Sequence, residues 1–237
     1  ERESRTRFQT QSDIAFVQLE KRLNDFRNLI LGLQGLFLSS DHVDRNEFNR
    51  YSENLQLKQR LPGLQALSFH RFVLHEHKNA FIETVRNDRS LDPNGYPGFA
   101  IQPAGDRPSY VVIEYLEPMT GNQAAFGLDV ATQAANHDAL RLARDSGAFM
   151  ASEPFLIVQN PNGTPRVVMH APVYFNNSTL NTVADRQRAL RGYVVLTIDS
   201  QAGRDGQAHR LFLGSERSAL HDRLSRRRPD CASSAAS

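Results

Sequence analysis

Between Phe16 and Phe37 the apolar residues fall at three- and four-residue steps: Phe16, Leu19, Leu23, Phe26, Leu29, Ile30, Leu33, Leu36 and Phe37. Side chains three and four apart share a helix face, so this spacing predicts one long amphipathic helix. Carried over residues 1–38, such a helix extends about 45–55 Å at the α-helical rise. Two readings follow. The stripe is either a core helix, or a stalk that also pairs with a second chain.

The rest of the chain alternates helical and strand patterns. Ser40 or Asp41 is placed to cap a second helix over 43–58, stopped by Leu61-Pro62-Gly63. Residues 64–74 read as a strand, 75–87 as a helix and Asp92-Pro93-Asn94-Gly95 as a turn. Residues 99–101 and 110–116 read as neighbouring strands joined through 103–108. A helix over 134–146 follows, with Gly147 at its C′ position. Residues 155–158 and 166–175 read as a hairpin, 176–188 as a polar insertion and 191–199 as a last strand. Hairpins with helices between them predict an α+β fold. Periodicity leaves open whether the strand groups 97–116 and 155–199 share one sheet or form two.

Composition excludes several classes. Of 28 basic and 26 acidic residues, seven Arg and four acids lie from Gln201 onward, leaving 21 against 22 before it. The body is near neutral, which argues against a nucleic-acid partner. The single cysteine, Cys231, rules out an intrachain disulfide and a thiolate zinc site. His70, His75 and His77 lack a third ligand at fitting spacing, so no metal is expected. There is no G-x-S-x-G elbow, phosphate-cradling glycine loop or H-E-x-x-H. No catalytic activity and no cofactor are expected. Residues 201–237, with Arg226-Arg227-Arg228 and a closing Ala/Ser run, are expected to be disordered or foreign to the native protein.

An ordered set of short motifs runs through the body: Leu-Phe-Leu-Ser-Ser at the end of the first helix, Arg45-x-Glu-Phe-x-x-Tyr51, and Leu61-Pro-Gly-Leu-Gln-Ala-Leu67. Tyr110 on its strand, Glu117-Pro-x-x-Gly-Asn122, Gly127-Leu-Asp129 and Leu140-x-x-Ala-x-x-x-Gly147 come next, then Pro172-Val-Tyr174 and Gly192-Tyr-Val194. In this order they resemble the CHASE domain, the extracytoplasmic sensor of membrane-bound histidine kinases and nucleotide or diguanylate cyclases. The resemblance covers about residues 23–200. It implies a long N-terminal stalk helix followed by two tandem PAS-like subdomains with antiparallel sheets. Helices would occupy 1–60, a membrane-distal subdomain 61–150, a membrane-proximal one 151–200, with strands that the two either share or keep separate, and a tail 201–237. It further implies a small-molecule ligand, a homodimer through the stalk, membrane anchors in flanking segments and a periplasmic location. A spacer or protein-interaction module without a ligand is the alternative.

The same resemblance points to a site. In the plant members, an aspartate just after the Tyr-bearing strand hydrogen-bonds the hormone, and Asp129 holds that position. The chain departs from the plant pattern at Met169-His170-Ala171. Read from the residues alone, Asp129 after Phe126-Gly127-Leu128 either accepts N–H groups from a ligand in a dry pocket or caps its own backbone. Strand alternation puts Tyr110, Val112 and Glu114 on one face and Val111, Ile113 and Tyr115 on the other. Tyr110, Tyr115, Phe99, Phe126 and Phe149 are candidate pocket walls or core residues. His170 is a satisfied core histidine or a pH-responsive member of the pocket.

Overall fold

The computed structural model describes residues 2–199. Helix α1 (Arg2–Leu38) leads, followed by α2 (Arg45–Asn54), α3 (Leu57–Arg60), β1 (Leu64–Leu74), α4 (Lys78–Arg86) and β2 (Ser109–Glu117). Then come α5 (Ala134–Ser146), β3 (Met150–Ala151), β4 (Arg166–Tyr174), α6 (Val183–Ala189) and β5 (Leu190–Asp199). The five strands make one antiparallel sheet in the order β2-β1-β5-β4-β3. The question periodicity left open is thereby decided. Strands from both sides of residue 150 share a sheet, and β1 and β5 pair at its centre from Leu64↔Ile198 to Arg71↔Gly192. Among the described residues the strands of the two expected subdomains are shared in this one sheet.

Helix α1 covers one face. Its Phe26, Leu29, Ile30, Leu33 and Phe37 are buried against Leu67, Phe69, Met169, Ala171, Val194 and Leu196. Phe37 stacks on Phe69 with ring centres 4.2 Å apart. This half of the stripe is therefore core, used up by the domain's own sheet. The side chains of Phe16, Leu19 and Leu23 lie outside the described residues. On the opposite face α5 lays Ala139, Leu140 and Ala143 over Val111, Ile113, Val168, Tyr193 and Val195. A third cluster, Val73, Val85, Phe99, Ile101, Tyr110 and Val112, fills the corner where α4 meets β2.

Local signals place several boundaries correctly, namely β1, α5 and the left-handed Gly147 (φ 79°) that ends α5. Others move. The cap of α2 is Asp44, not Ser40 or Asp41. Asp44 accepts the Glu47 N–H at 2.7 Å, and Glu47 accepts the Asp44 N–H at 3.0 Å, a reciprocal arrangement that satisfies two donors otherwise left over at a helix start. Residues 99–101 are not a strand; Gln102 makes one bridge to Leu128. Nor is 155–158, where Phe155 makes a single bridge to Arg166, and the polar insertion contains α6.

Three bulges break the period-2 pattern, and each carries a polar residue. Glu114 is the extra residue of β2, Gln65 of β1 and Arg191 of β5. A bulge re-aims the side chains around it. Beyond Glu114 the faces exchange, so Tyr115 joins Phe69 in the α1 cluster while Val111 and Ile113 stay under α5. The simple alternation expected for β2 therefore fails at Tyr115.

Gly192 shows how closely β5 approaches β1. A Cβ there would stand 2.3 Å from the His70 carbonyl oxygen and 2.9 Å from the Phe69 ring. Gly192→Ala is expected to cost about 1–3 kcal/mol, as overpacking usually does. Urea denaturation checks this as a lowered midpoint with an unchanged slope.

Candidate ligand site beside strand β2

Asp129 is delivered to its position by Gly127. That residue has φ 85°, and a Cβ on it would lie 2.3 Å from the Ala100 carbonyl oxygen, so only glycine fits. The segment is then clamped on two sides. Gly127 N–H donates to Ile113 C=O and Ile113 N–H to Leu128 C=O, while Gln102 N–H donates to Gly127 C=O and Asp129 N–H to Gln102 C=O. The result is a carboxylate with no exposed surface.

Its acceptors are used within the chain. Oδ1 accepts the N–H groups of Val111 (2.9 Å) and Ala131 (3.2 Å), and Oδ2 accepts Arg107 Nε at 2.9 Å. The Ala131 bond makes Asp129 the N-cap of a short turn over Val130–Thr132. Arg107 belongs to the exposed 102–108 loop, which the sequence shows only as a turn. Its guanidinium also lies 5.0 Å from the Tyr110 ring centre. The Tyr110 hydroxyl accepts Arg107 N–H at 3.0 Å and lies 3.2 Å from His75 Nδ1. Lys78 donates to Asp106 at 2.8 Å across the same loop. The arrangement is a buried acid under a polar strap, with the rings of Phe99 and Phe126 packed beside it at a tilt, their centres 4.8 Å apart.

The expected site residues thus divide. Asp129, Tyr110, Phe99 and Phe126 come together. Tyr115 lies in the α1-face core, where its hydroxyl donates to Val43 C=O at 3.0 Å, and Phe149 belongs to that same core. His170 is buried on the α5 face. A residue the sequence reading passed over, Arg45 of the Arg45-x-Glu-Phe motif, links the halves. It is buried at the start of α2, between the rings of Tyr96 (4.4 Å), Tyr115 (4.9 Å) and Phe126 (5.1 Å). It donates to Asp88 at 3.0 Å and to Glu114 C=O at 2.8 Å. A groove of about 350 Å³ lies apart from these residues, between α2–α3 and the end of β2, and includes Asn49, Glu53, Gln56 and Glu117. Burial raises the pKa of Glu117 there.

Under α5, His170 Nε2 lies 3.1 Å from Asn136 Oδ1, while Asn136 Nδ2 donates to Gln133 Oε1. That fixes the Asn136 oxygen toward the ring, so His170 Nε2 carries the proton. His70 Nε2 lies 2.8 Å from Ser68 Oγ, and the two imidazole centres are 5.9 Å apart. Both Nδ1 atoms are buried without a partner among the described residues. Burial holds both rings neutral. It pushes the His170 pKa down to about 3 and that of His70 well below 6.5, the latter helped by His170.

Among the described residues no group of three His, Cys, Asp or Glu could hold a metal. Fold and site together define an α+β module with helices on both sheet faces and a buried acid beside its edge strand. The CHASE domain family model matches residues 41–218, most of the chain, and the chain belongs to the CHASE domain family. This is a sensory domain of signalling receptors, extracellular in membrane receptors and not catalytic. The match starts after α1 and runs past Ser200, where the motif resemblance stopped. No curated protein matches the chain.

Two outcomes follow from this geometry. Asp129→Ala removes a buried acid, an N-cap and the partner of Arg107. Arg107 is partly exposed and can turn to water, so the cost should fall near the low end for a broken buried pair, about 3 kcal/mol in chemical denaturation. The second concerns acid. Unfolding lets His70 and His170 titrate near 6.5, so below that pH the unfolded chain binds more protons than the folded one and stability falls as pH drops toward 3. Each histidine contributes a slope of up to about 1.4 kcal/mol per pH unit in that window. Melts from pH 7 to 4 should show the loss, and His170→Gln should flatten it.

Proposed function

We propose that this CHASE domain is the periplasmic sensor of a membrane-bound histidine kinase or diguanylate cyclase, binding a small molecule beside β2 and passing its occupancy to α1. The supporting observation is that the family match follows directly on α1, whose Phe26–Phe37 face packs on the same sheet that carries Tyr110 on β2, the strand to which Asp129 is bridged at Val112. A ligand that favours one packing of that sheet changes the footing of α1, provided that it binds the two packings unequally. The distal site takes its ligand under the 102–108 loop, with Phe99, Tyr110 and Phe126 as walls and Asp129 as acceptor once Arg107 is displaced. Tyr115, Phe149 and His170 serve as supporting core.

The receptor works as a homodimer through the stalk, anchored by flanking membrane segments; among the described residues no helix is long and apolar enough to cross a membrane. Pairing runs along the outer line of α1 rather than the Phe26–Phe37 stripe. Val17, Leu31 and Leu38 are exposed there at multiples of seven residues, the spacing of a coiled-coil seam. The two-subdomain division at residue 150 is retained as a functional one, with the distal half carrying the ligand.

One observation favours the second reading, a ligand-free spacer or interaction module: the Asp129 oxygens already have protein donors. Native mass spectrometry of the purified chain, with calorimetry on whatever small molecule is found, separates the two. The sensor reading expects a bound molecule whose affinity falls about ten- to a hundredfold in Asp129→Asn, the usual weight of a hydrogen bond to a charged group. Equal affinity in the variant refutes the site, and a chain that carries no small molecule supports the spacer.

A further inference from the structure

The groove between α2–α3 and the end of β2 holds about 350 Å³ and uses no residue of the Asp129 cluster. That volume falls within the usual range for small-molecule sites, about 300–1,000 Å³. Its walls carry the carboxylates Glu53 and Glu117 and the amides Asn49, Gln56 and Gln59, while Leu57 and Pro118 supply apolar surface. Among the described residues no basic group and no aromatic ring lines it. Arg45, one helical turn before Asn49, acts on Glu117 at a distance and is itself engaged by Asp88 at 3.0 Å.

Glu117 is fixed where it stands. It ends β2 and accepts hydrogen bonds from the Asn49 side chain and the Met119 N–H. Burial, helped by the charge of Glu53, still holds its carboxyl above the ordinary range. Like charges that share a partly dry site disfavour each other's ionised form, and a cation placed between them reverses that. The α3 side of the groove is set by Gln56, where the chain turns out of α2 with φ 48°. Glycine would hold that left-handed turn at least cost, yet the position carries an amide that lines the groove.

Each class of ligand asks for different walls. An anion would meet two carboxylates and no basic side chain. A metal ion needs several ligands and little room, whereas the groove is wide and no group of three His, Cys, Asp or Glu among the described residues could hold one. A quaternary ammonium ion is recognised by aromatic faces, which are missing from these walls. A cation with N–H donors matches them, because carboxylate and amide oxygens both accept and a charged donor makes the stronger bond. We propose that this groove binds a small organic cation, a protonated primary alkylamine, with its ammonium between Glu53 and Glu117 and its carbon chain along Leu57 and Pro118. The site stands whether or not the Asp129 cluster binds a ligand. Occupancy would draw α2–α3 toward the end of β2, where Glu117 pairs with Leu67, a residue of the core under α1.

Isothermal titration calorimetry of the full chain with putrescine, a short alkyl diamine, tests this at neutral pH and constant ionic strength. Saturable binding of putrescine is expected. Glu53→Gln and Glu117→Gln should each weaken it about tenfold or more, the usual weight of a hydrogen bond to a charged group. Glutamine keeps an acceptor for Asn49 and the Met119 N–H, and Glu53 is exposed, so both variants should melt at or above the unaltered chain. The diol of the same length, tetramethylammonium and calcium should fail to displace the amine. The proposal is overturned if putrescine does not bind, or if either variant binds it as tightly as the unaltered chain. Equal binding of the diol, of tetramethylammonium or of calcium overturns it too, since each would assign the groove to another class of ligand. A lower melt in Glu53→Gln counts against it as well, because it would make that acid a structural partner.

Discussion

The pairing of β1 with β5 is the contact on which the rest of the structure depends. It joins residues 64–71 to residues 192–198, so a long stretch of chain must be ordered before it can form, at an entropic cost that later contacts must offset. Once made, it sets two apolar faces. Leu67, Phe69, Val194 and Leu196 present a floor for α1; Ala66, Tyr193 and Val195 present one for α5. Strands β2 and β4 then add on either side of this central pair, and α1 is footed on β1, β4 and β5.

The polar interior follows from how that sheet departs from regularity. Each bulge puts a polar side chain where a regular strand would continue its alternation. Gln65 donates to Asn122 and accepts from Arg166, linking the ends of β1, β2 and β4. Glu114 holds Arg71, and Arg191 lies with its guanidinium 5.6 Å from the Phe37 ring centre. Buried ionic groups are weak evidence of stability, since desolvation offsets most of their attraction. Their value here is positional. Arg45, with one sealed Nη2 atom lacking an acceptor among the described residues, fixes α2 against Tyr96, Tyr115 and Phe126. Arg107 fixes the 102–108 loop against Asp129.

Much of the fold was legible because its signals are local. The Phe26–Phe37 stripe, the β-rich run 64–74 and the Gly147 stop each state their own conformation in a few residues. The aspartate was legible too, since Phe126-Gly127-Leu128-Asp129 contains the glycine its delivery requires. What escaped was non-local. A bulge at Glu114 is invisible until β1 supplies the register, so strand alternation alone puts Tyr115 on the wrong face. The partners Arg107 and Arg45 sit 22 residues from Asp129 and 43 from Asp88, with no spacing rule to join them. The Pro103–Pro108 segment gave turn chemistry but no hint that its arginine closes over a buried acid. Ser40 and Asp41 compete with Asp44 as α2 caps because they lie nearer the end of the stripe, although the Asp44–Glu47 spacing is itself the capping-box signal.

The central claim is that α1 and the strands on both sides of residue 150 form one cooperative unit, so that a change at the sheet is felt by the leading helix. Native-state hydrogen exchange measures this directly, amide by amide, as the free energy of the opening that exposes each group. The account predicts that amides of α1 from Leu29 to Phe37, of β1 and β2, and of β4 and β5 share one opening free energy equal to that of global unfolding, with one common denaturant dependence. Two distinct values, one for strands in 61–150 and another for those in 151–199, would contradict it and restore two separately folding subdomains.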